Sequence, residues 1–166
     1  MKKSISIAIL LLVTALVFTA CQQPAQPTPN PDEQQPGDDV LQWAVTFVKA
    51  DGSTVELTHA DDLELVEIEA TKARKDGSEE KQQWKGVPLQ AALDYLELTE
   101  FEVIAAESAD GYSVDLDKEM VADEGTIIGL ELNGEPLAED AGPAQLVVAS
   151  QRSNFWIKQL SKITLK

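Results

Sequence analysis

Cysteine and histidine occur once each, as Cys21 and His59, and aromatic residues make up only 5% of the chain. One imidazole with scattered carboxylates does not make a zinc or copper site. Nucleophilic machinery built on a Cys–His or Ser–His pair is equally hard to assemble, and one cysteine forms no disulfide within the chain. Basic residues are also scarce: 13 Lys and Arg stand against 29 Asp and Glu, for a formal net charge of −16. That sign argues against binding nucleic acid through a basic surface. The acidic residues are spread over many segments, so they read as a solvated surface rather than as a docking site for one cationic partner. No spacing among them singles out a carboxylate pair for hydrolysis. Only Ile5 to Phe18 forms a long apolar run, and it falls short of the ~20 residues that span a bilayer.

That run follows Met1-Lys2-Lys3 and leads into Thr19-Ala20-Cys21, a basic start, an apolar middle and a small-residue cleavage point. The pattern resembles a bacterial lipoprotein signal cut before Cys21, although Phe18 stands where Leu, Val or Ile is usual. The resemblance implies a diacylglycerol thioether on Cys21. The chain would then be lipid-anchored in the cell membrane or outer membrane and face the extracytoplasmic side, leaving no thiol for catalysis or metal. Residues 1–20 are expected to be signal peptide, 21–39 the lipidated cysteine with a Pro/Gln-rich tether, and 40–166 one domain. Loss of Lys2 and Lys3 takes the formal charge to −18. The tether carries Pro24, Pro27, Pro29, Pro31 and Pro36 among polar residues and cannot bury a core.

From Val40 onward strands dominate. Leu41 to Phe47 alternates apolar and polar, Asp51-Gly52 is a turn, and Thr54 to Leu57 resumes the alternation, which predicts a hairpin. Thr58-His59-Ala60-Asp61 has the form of a capping box opening a short helical turn, with His59 on its surface. Leu63 to Ala70 alternates without showing which face is buried. Pro88 to Leu96 predicts the best helix, with Leu89, Ala92, Leu93 and Leu96 on one face. Strands are expected at 101–106, 112–116, 126–132, 145–149 and 156–165, with a short helix at 118–122 and turns at Asp76-Gly77, Asp110-Gly111 and Asn133-Gly134. The whole predicts an α+β, mostly β fold with mixed sheets and two or three short helices. Trp43 and Trp156 are expected in the core.

Four segments occur in a fixed order. They are Trp84-Lys85-Gly86-Val87-Pro88-Leu89, then Asp110-Gly111-Tyr112-Ser113, then Asn133-Gly134-Glu135-Pro136-Leu137, and finally Gly142-Pro143 running into Leu146-Val147-Val148 and Trp156 to Ile163. Each segment has a purely architectural use as turn, helix start or core. Their succession, over about Thr46 to Leu165, resembles the molybdopterin-binding domain of the sulfite oxidase family, including its short, stand-alone forms.

The resemblance implies a sulfite oxidase-like fold. It also places a molybdenum-binding cysteine thiolate in the stretch from Ile68 to Arg74, which here contains no cysteine. Thiolate ligation is what ties that metal to the protein, so molybdenum and oxo-transfer are not expected. What the resemblance leaves is a pocket for a pterin or related small heterocycle, bound without catalysis. Trp84 and Tyr112 would stack on it, Asp110 and Ser113 would offer polar contacts, and Lys158 and Arg152 would meet an anionic group. Two other functions fit the same residues: a ligand-free module docking on a membrane redox or surface protein, and a molybdopterin-dependent oxidoreductase holding its cofactor through other contacts.

Overall fold

The computed structural model describes residues 42–59, 61–73 and 77–166. The expected signal peptide, Cys21, the tether and Arg74 lie outside the described residues. Among the described residues ten strands form two sheets. The first is mixed, in the order β2 (Thr54–Thr58), β1 (Ala44–Val48), β10 (Leu160–Leu165), β5 (Val103–Ser108) and β6 (Ser113–Asp117), with β1 and β10 parallel. In the second, β3 (Val66–Ala73) pairs with β4 (Glu79–Pro88), and β4 with β7 (Thr126–Leu132), all antiparallel. The far edge of β7 is shared by β9 (Gln145–Val148), opposite 126–129, and the two-residue β8 (Glu135–Pro136), opposite 131–132. The chain from Leu137 to Ala144 therefore bridges two short strands that occupy one edge in succession. Its Gly142–Pro143 peptide is cis.

The alternation of the sequence maps onto this frame. Val45 and Phe47 of β1 point inward and are fully buried, and the hairpin to β2 closes at Asp51-Gly52. In β3 the ambiguous alternation resolves with Val66, Ile68, Ala70 and Lys72 inward and Glu67 and Glu69 outward. A single core cluster joins Phe47, Ile104 and Ile163 of the first sheet to Val87, Ile127 and Val147 of the second. Helix α1 (Leu89–Tyr95) buries Leu89, Ala92 and Leu93 against it, as its 3.6-residue spacing requires. Pro88 precedes the helix, where its missing N–H has no helical partner to lose. Helix α2 (Lys118–Ala122) is capped by Asp117, whose carboxylate accepts from the Met120 N–H at 2.9 Å. At Asn133-Gly134 both residues have positive φ (54° and 82°), the geometry of a type I′ hairpin turn.

Two expectations change. The Thr58–Asp61 segment forms no helix: Asp61 accepts hydrogen bonds from the Thr58 N–H (2.6 Å) and hydroxyl (3.1 Å), while the Asp61 N–H returns to the Thr58 carbonyl. The acid reaches back as in a capping box, but it closes a turn at the end of β2, where Thr58 pairs with Ala44 and His59 donates to the Trp43 carbonyl. The strand expected over 156–165 begins only at Leu160. Trp156 and Ile157 precede it, buried, with Ile157 making an isolated bridge to Leu146. Beyond these, β4 runs ten residues through Glu-Glu-Lys-Gln-Gln; this polar start is held extended by pairing with β3, and β7 joins the other edge from Trp84 on.

The Thr58–Asp61 turn carries a pH signature. The Thr58 backbone N–H, chiefly, with its hydroxyl and the Tyr95 hydroxyl (3.2 Å) lowers the Asp61 carboxyl below its ordinary 3.8 against a desolvation that raises it. A carboxylate with a lowered folded pKa stabilises above its unfolded value and loses that contribution as pH falls through the folded one. The melting temperatures of the wild type and of Asp61→Asn should therefore differ at neutral pH and converge as pH drops below ~4. A difference independent of pH would show that ionisation of Asp61 does not matter.

Candidate functional site

The inward face of the β3–β4 pair departs from an ordinary core. Ile68 stands opposite Trp84 and Ala70 opposite Gln82, so the inner row of β4 reads Gln82, Trp84, Gly86, with Lys72 next along β3. Gln82 is 5% exposed and Trp84 2%. Neither Gln82 Oε1 nor Trp84 Nε1 has a hydrogen-bond partner, although both atoms are buried. Each such orphan costs about 1–3 kcal/mol, and these two stand two residues apart on one strand face, whereas a third, Thr126 Oγ1, lies elsewhere in the core.

Both residues line a cleft of about 140 Å³. Its other walls are Lys72, Leu132 at the end of β7, the 137–141 connection, Gln145 of β9 and Lys158. The 137–141 wall is fastened from the start of β10: Gln159 donates from its backbone to the Ala141 carbonyl (2.8 Å) and from its side chain to the Glu139 carbonyl (3.2 Å). At the rim Lys158 Nζ pairs with Asp140 at 2.5 Å. That ammonium, with a smaller contribution from Lys72, holds the Asp140 carboxyl below its ordinary value.

Trp84 is not a stacking platform. Its indole meets Trp156 edge to face (centroids 5.9 Å apart, planes at 88°). On another side it lies over Gly129, where an added Cβ would stand 2.8 Å from Trp84 Cε3. With 2% of the residue exposed, no ring face is open to a flat ligand. The atom left without a partner is the indole N–H, at the ring edge. Trp156 satisfies its own N–H on the Val148 carbonyl (2.9 Å), and Trp43 is buried as expected.

Of the residues singled out in the sequence, Trp84 and Lys158 come together on this cleft, and Asp110, Tyr112, Ser113 and Arg152 are not among its lining residues. Asp110 closes the β5–β6 turn by accepting from the Tyr112 N–H (3.0 Å), which lowers its pKa. The Tyr112 hydroxyl donates to the Asn154 carbonyl (2.8 Å) and ties that hairpin to the short 3-10 turn at 153–155. Ser113 is exposed at the start of β6, and Arg152 is exposed just before the 3-10 turn. Sequence reasoning missed Gln82, Gln145, Lys72 and Asp140. The usable signal was polar side chains at inward strand positions, and it becomes visible only once pairing fixes which positions face inward.

The donor set does not suit a metal. The stretch where the family resemblance places a thiolate is β3, and its inward residues are Ile68, Ala70 and Lys72. Among the described residues no three His, Cys, Asp or Glu side chains gather as metal ligands. The cleft is also smaller than the ~300 Å³ at which pockets for drug-sized ligands begin. A molybdenum-bearing, phosphorylated pterin does not fit these walls.

Residues 51–166 match the model of the family described as oxidoreductase molybdopterin binding domain. Among solved structures, the chain resembles the crystal structure of the sulfane dehydrogenase SoxCD from Paracoccus pantotrophus, with a TM-score of 0.62 and 19% identity. That likeness covers 74% of this chain but only 38% of the other, and at this identity it speaks for the fold. No curated protein sequence matches the chain.

Proposed function

Because the chain belongs to the oxidoreductase molybdopterin-binding domain family, we propose that it is a ligand-binding member that holds a pterin or related small heterocycle without turnover. The observation that supports this best is the pair of unpartnered buried atoms, Gln82 Oε1 and Trp84 Nε1, on one cleft. A heterocycle with ring N–H and carbonyl groups supplies what both atoms lack. Two observations support binding without turnover: β3 offers no thiolate for molybdenum, and among the described residues lining the cleft no nucleophile is paired with a base. We place the domain outside the cytoplasm, lipid-anchored through Cys21, where ligand occupancy can be passed to a membrane protein or the ligand stored.

The test is mass spectrometry of the full chain, extracted in detergent and purified without added ligand, first native and then denatured. A small mass released on denaturation, with the absorbance of a pterin or related ring, is the expected result. A clean apo mass that pterins added afterwards leave unchanged would overturn the proposal. Tryptophan fluorescence gives a second readout, since a ring beside Trp84 would quench it.

A further inference from the structure

We propose that this cleft selects its ligand by one edge: a small planar lactam, with ring N–H and C=O groups together and no anionic tail. The proposal rests on the binding function above and specifies the ligand class. Successive inward residues of a strand lie roughly 6–7 Å apart, and both side chains line the one cleft, so Gln82 and Trp84 can engage a single small ring together. The indole N–H only donates, and the Gln82 carbonyl oxygen only accepts. A hydrocarbon would leave both atoms unpaired. An oxyanion would serve Trp84 but set its oxygens against Gln82 Oε1, and a cation would do the reverse. A lactam edge, shared by pyrimidine, purine and pterin rings, serves both.

Size and charge narrow the class further. About 140 Å³ is roughly five waters' share of liquid volume, room for one or two fused rings and no substituent chain. Two lysines line the cleft, and both already act on one carboxylate: Lys158 Nζ is paired with Asp140, and Lys72 adds a smaller favourable field there. The backbone on either side of Asp140 is held by the two hydrogen bonds from Gln159, so an anionic tail would have to compete with a carboxylate already in place beside Lys158. The family's phosphorylated cofactor would meet both obstacles, and a bare ring meets neither.

The experiment titrates the full chain calorimetrically with pterin, with xanthine, with caffeine as the N-methylated xanthine lacking ring N–H groups, and with inorganic sulfate. The variants are Gln82→Leu, which keeps side-chain volume and so the fold, and Trp84→Phe, which keeps a ring but no N–H. Wild type should prefer xanthine to caffeine by ~10-fold or more, as expected for one buried hydrogen bond made or lost. That preference should vanish in Gln82→Leu, and Trp84→Phe should weaken every lactam by about the same factor. Equal binding of caffeine and xanthine, or a pterin affinity unchanged in Gln82→Leu, would overturn the edge-recognition proposal while leaving heterocycle binding intact. Tight sulfate binding that excludes pterin would replace the lactam with an oxyanion. If no ring binds and Gln82→Leu merely raises the melting temperature, both orphan atoms serve only water, and the binding function falls together with this inference.

Discussion

Gly86→Ala is expected to lose about 3 kcal/mol or more of folding stability, a large part of the ~5–15 kcal/mol typical of a domain. A Cβ at that position would overlap the Ile128 carbonyl oxygen and stand 2.8 Å from the Gly129 Cα. Both obstacles are backbone, so no rotamer change relieves them. Gly86 also adjoins the register shift at which β4 changes its pairing with β7. That irregularity brings the two backbones together and sets where Trp84 and Gln82 fall on the inner face. Urea denaturation followed by circular dichroism would show the midpoint falling at an unchanged slope. A loss below ~0.5 kcal/mol, the usual size for a harmless surface change, would mean that β4 and β7 can separate without penalty.

Trp84→Ala should cost a similar amount, about 3–5 kcal/mol, and for a different reason. The indole is 2% exposed, packed over Gly129 and edge to face with Trp156, so its removal leaves a cavity between β4, β7 and Trp156. Trp84→Phe keeps most of that packing and removes an N–H that lacks a partner in the ligand-free protein. It should therefore cost far less stability than the alanine change, yet weaken ligand. Thermal unfolding with and without pterin separates the two contributions, because a ligand that binds only the native state raises the midpoint. Equal destabilisation by Ala and Phe would refute this division between packing and recognition.

Much of the architecture was legible because strand and helix periodicities are local. The α1 stripe of Leu89, Ala92 and Leu93, the β1–β2 hairpin at Asp51-Gly52, the 126–132 strand and the 118–122 helix all appear as the spacing predicts. The family was legible too, from an ordered set of turns and aliphatic runs extending to the end of the domain, and the match over residues 51–166 agrees. The polar start of β4 was not, since it has no apolar alternation and only pairing with β3 holds it extended, and the late start of β10 was not, since Ile157 bridges to Leu146 instead. At Thr58 the capping-box pattern is present and its side-chain bond forms, but pairing of Thr58 with Ala44 takes the backbone that a helix would need.

The candidate site divides along the same line. The absence of a thiolate from 68–74 is a matter of composition, and the sequence settles it alone, because no fold can supply a cysteine the segment lacks. Which polar groups converge is a matter of register. Gln82 faces inward because it pairs with Ala70, Lys158 meets Asp140 because the 137–144 connection is fastened to β10, and Tyr112 is turned to Asn154. A shift of one residue in strand pairing would exchange every inward side chain for its neighbour. The sequence therefore determined the family and the chemistry the chain is missing, while tertiary pairing alone decided which side chains face the cleft and which hold the loops around it.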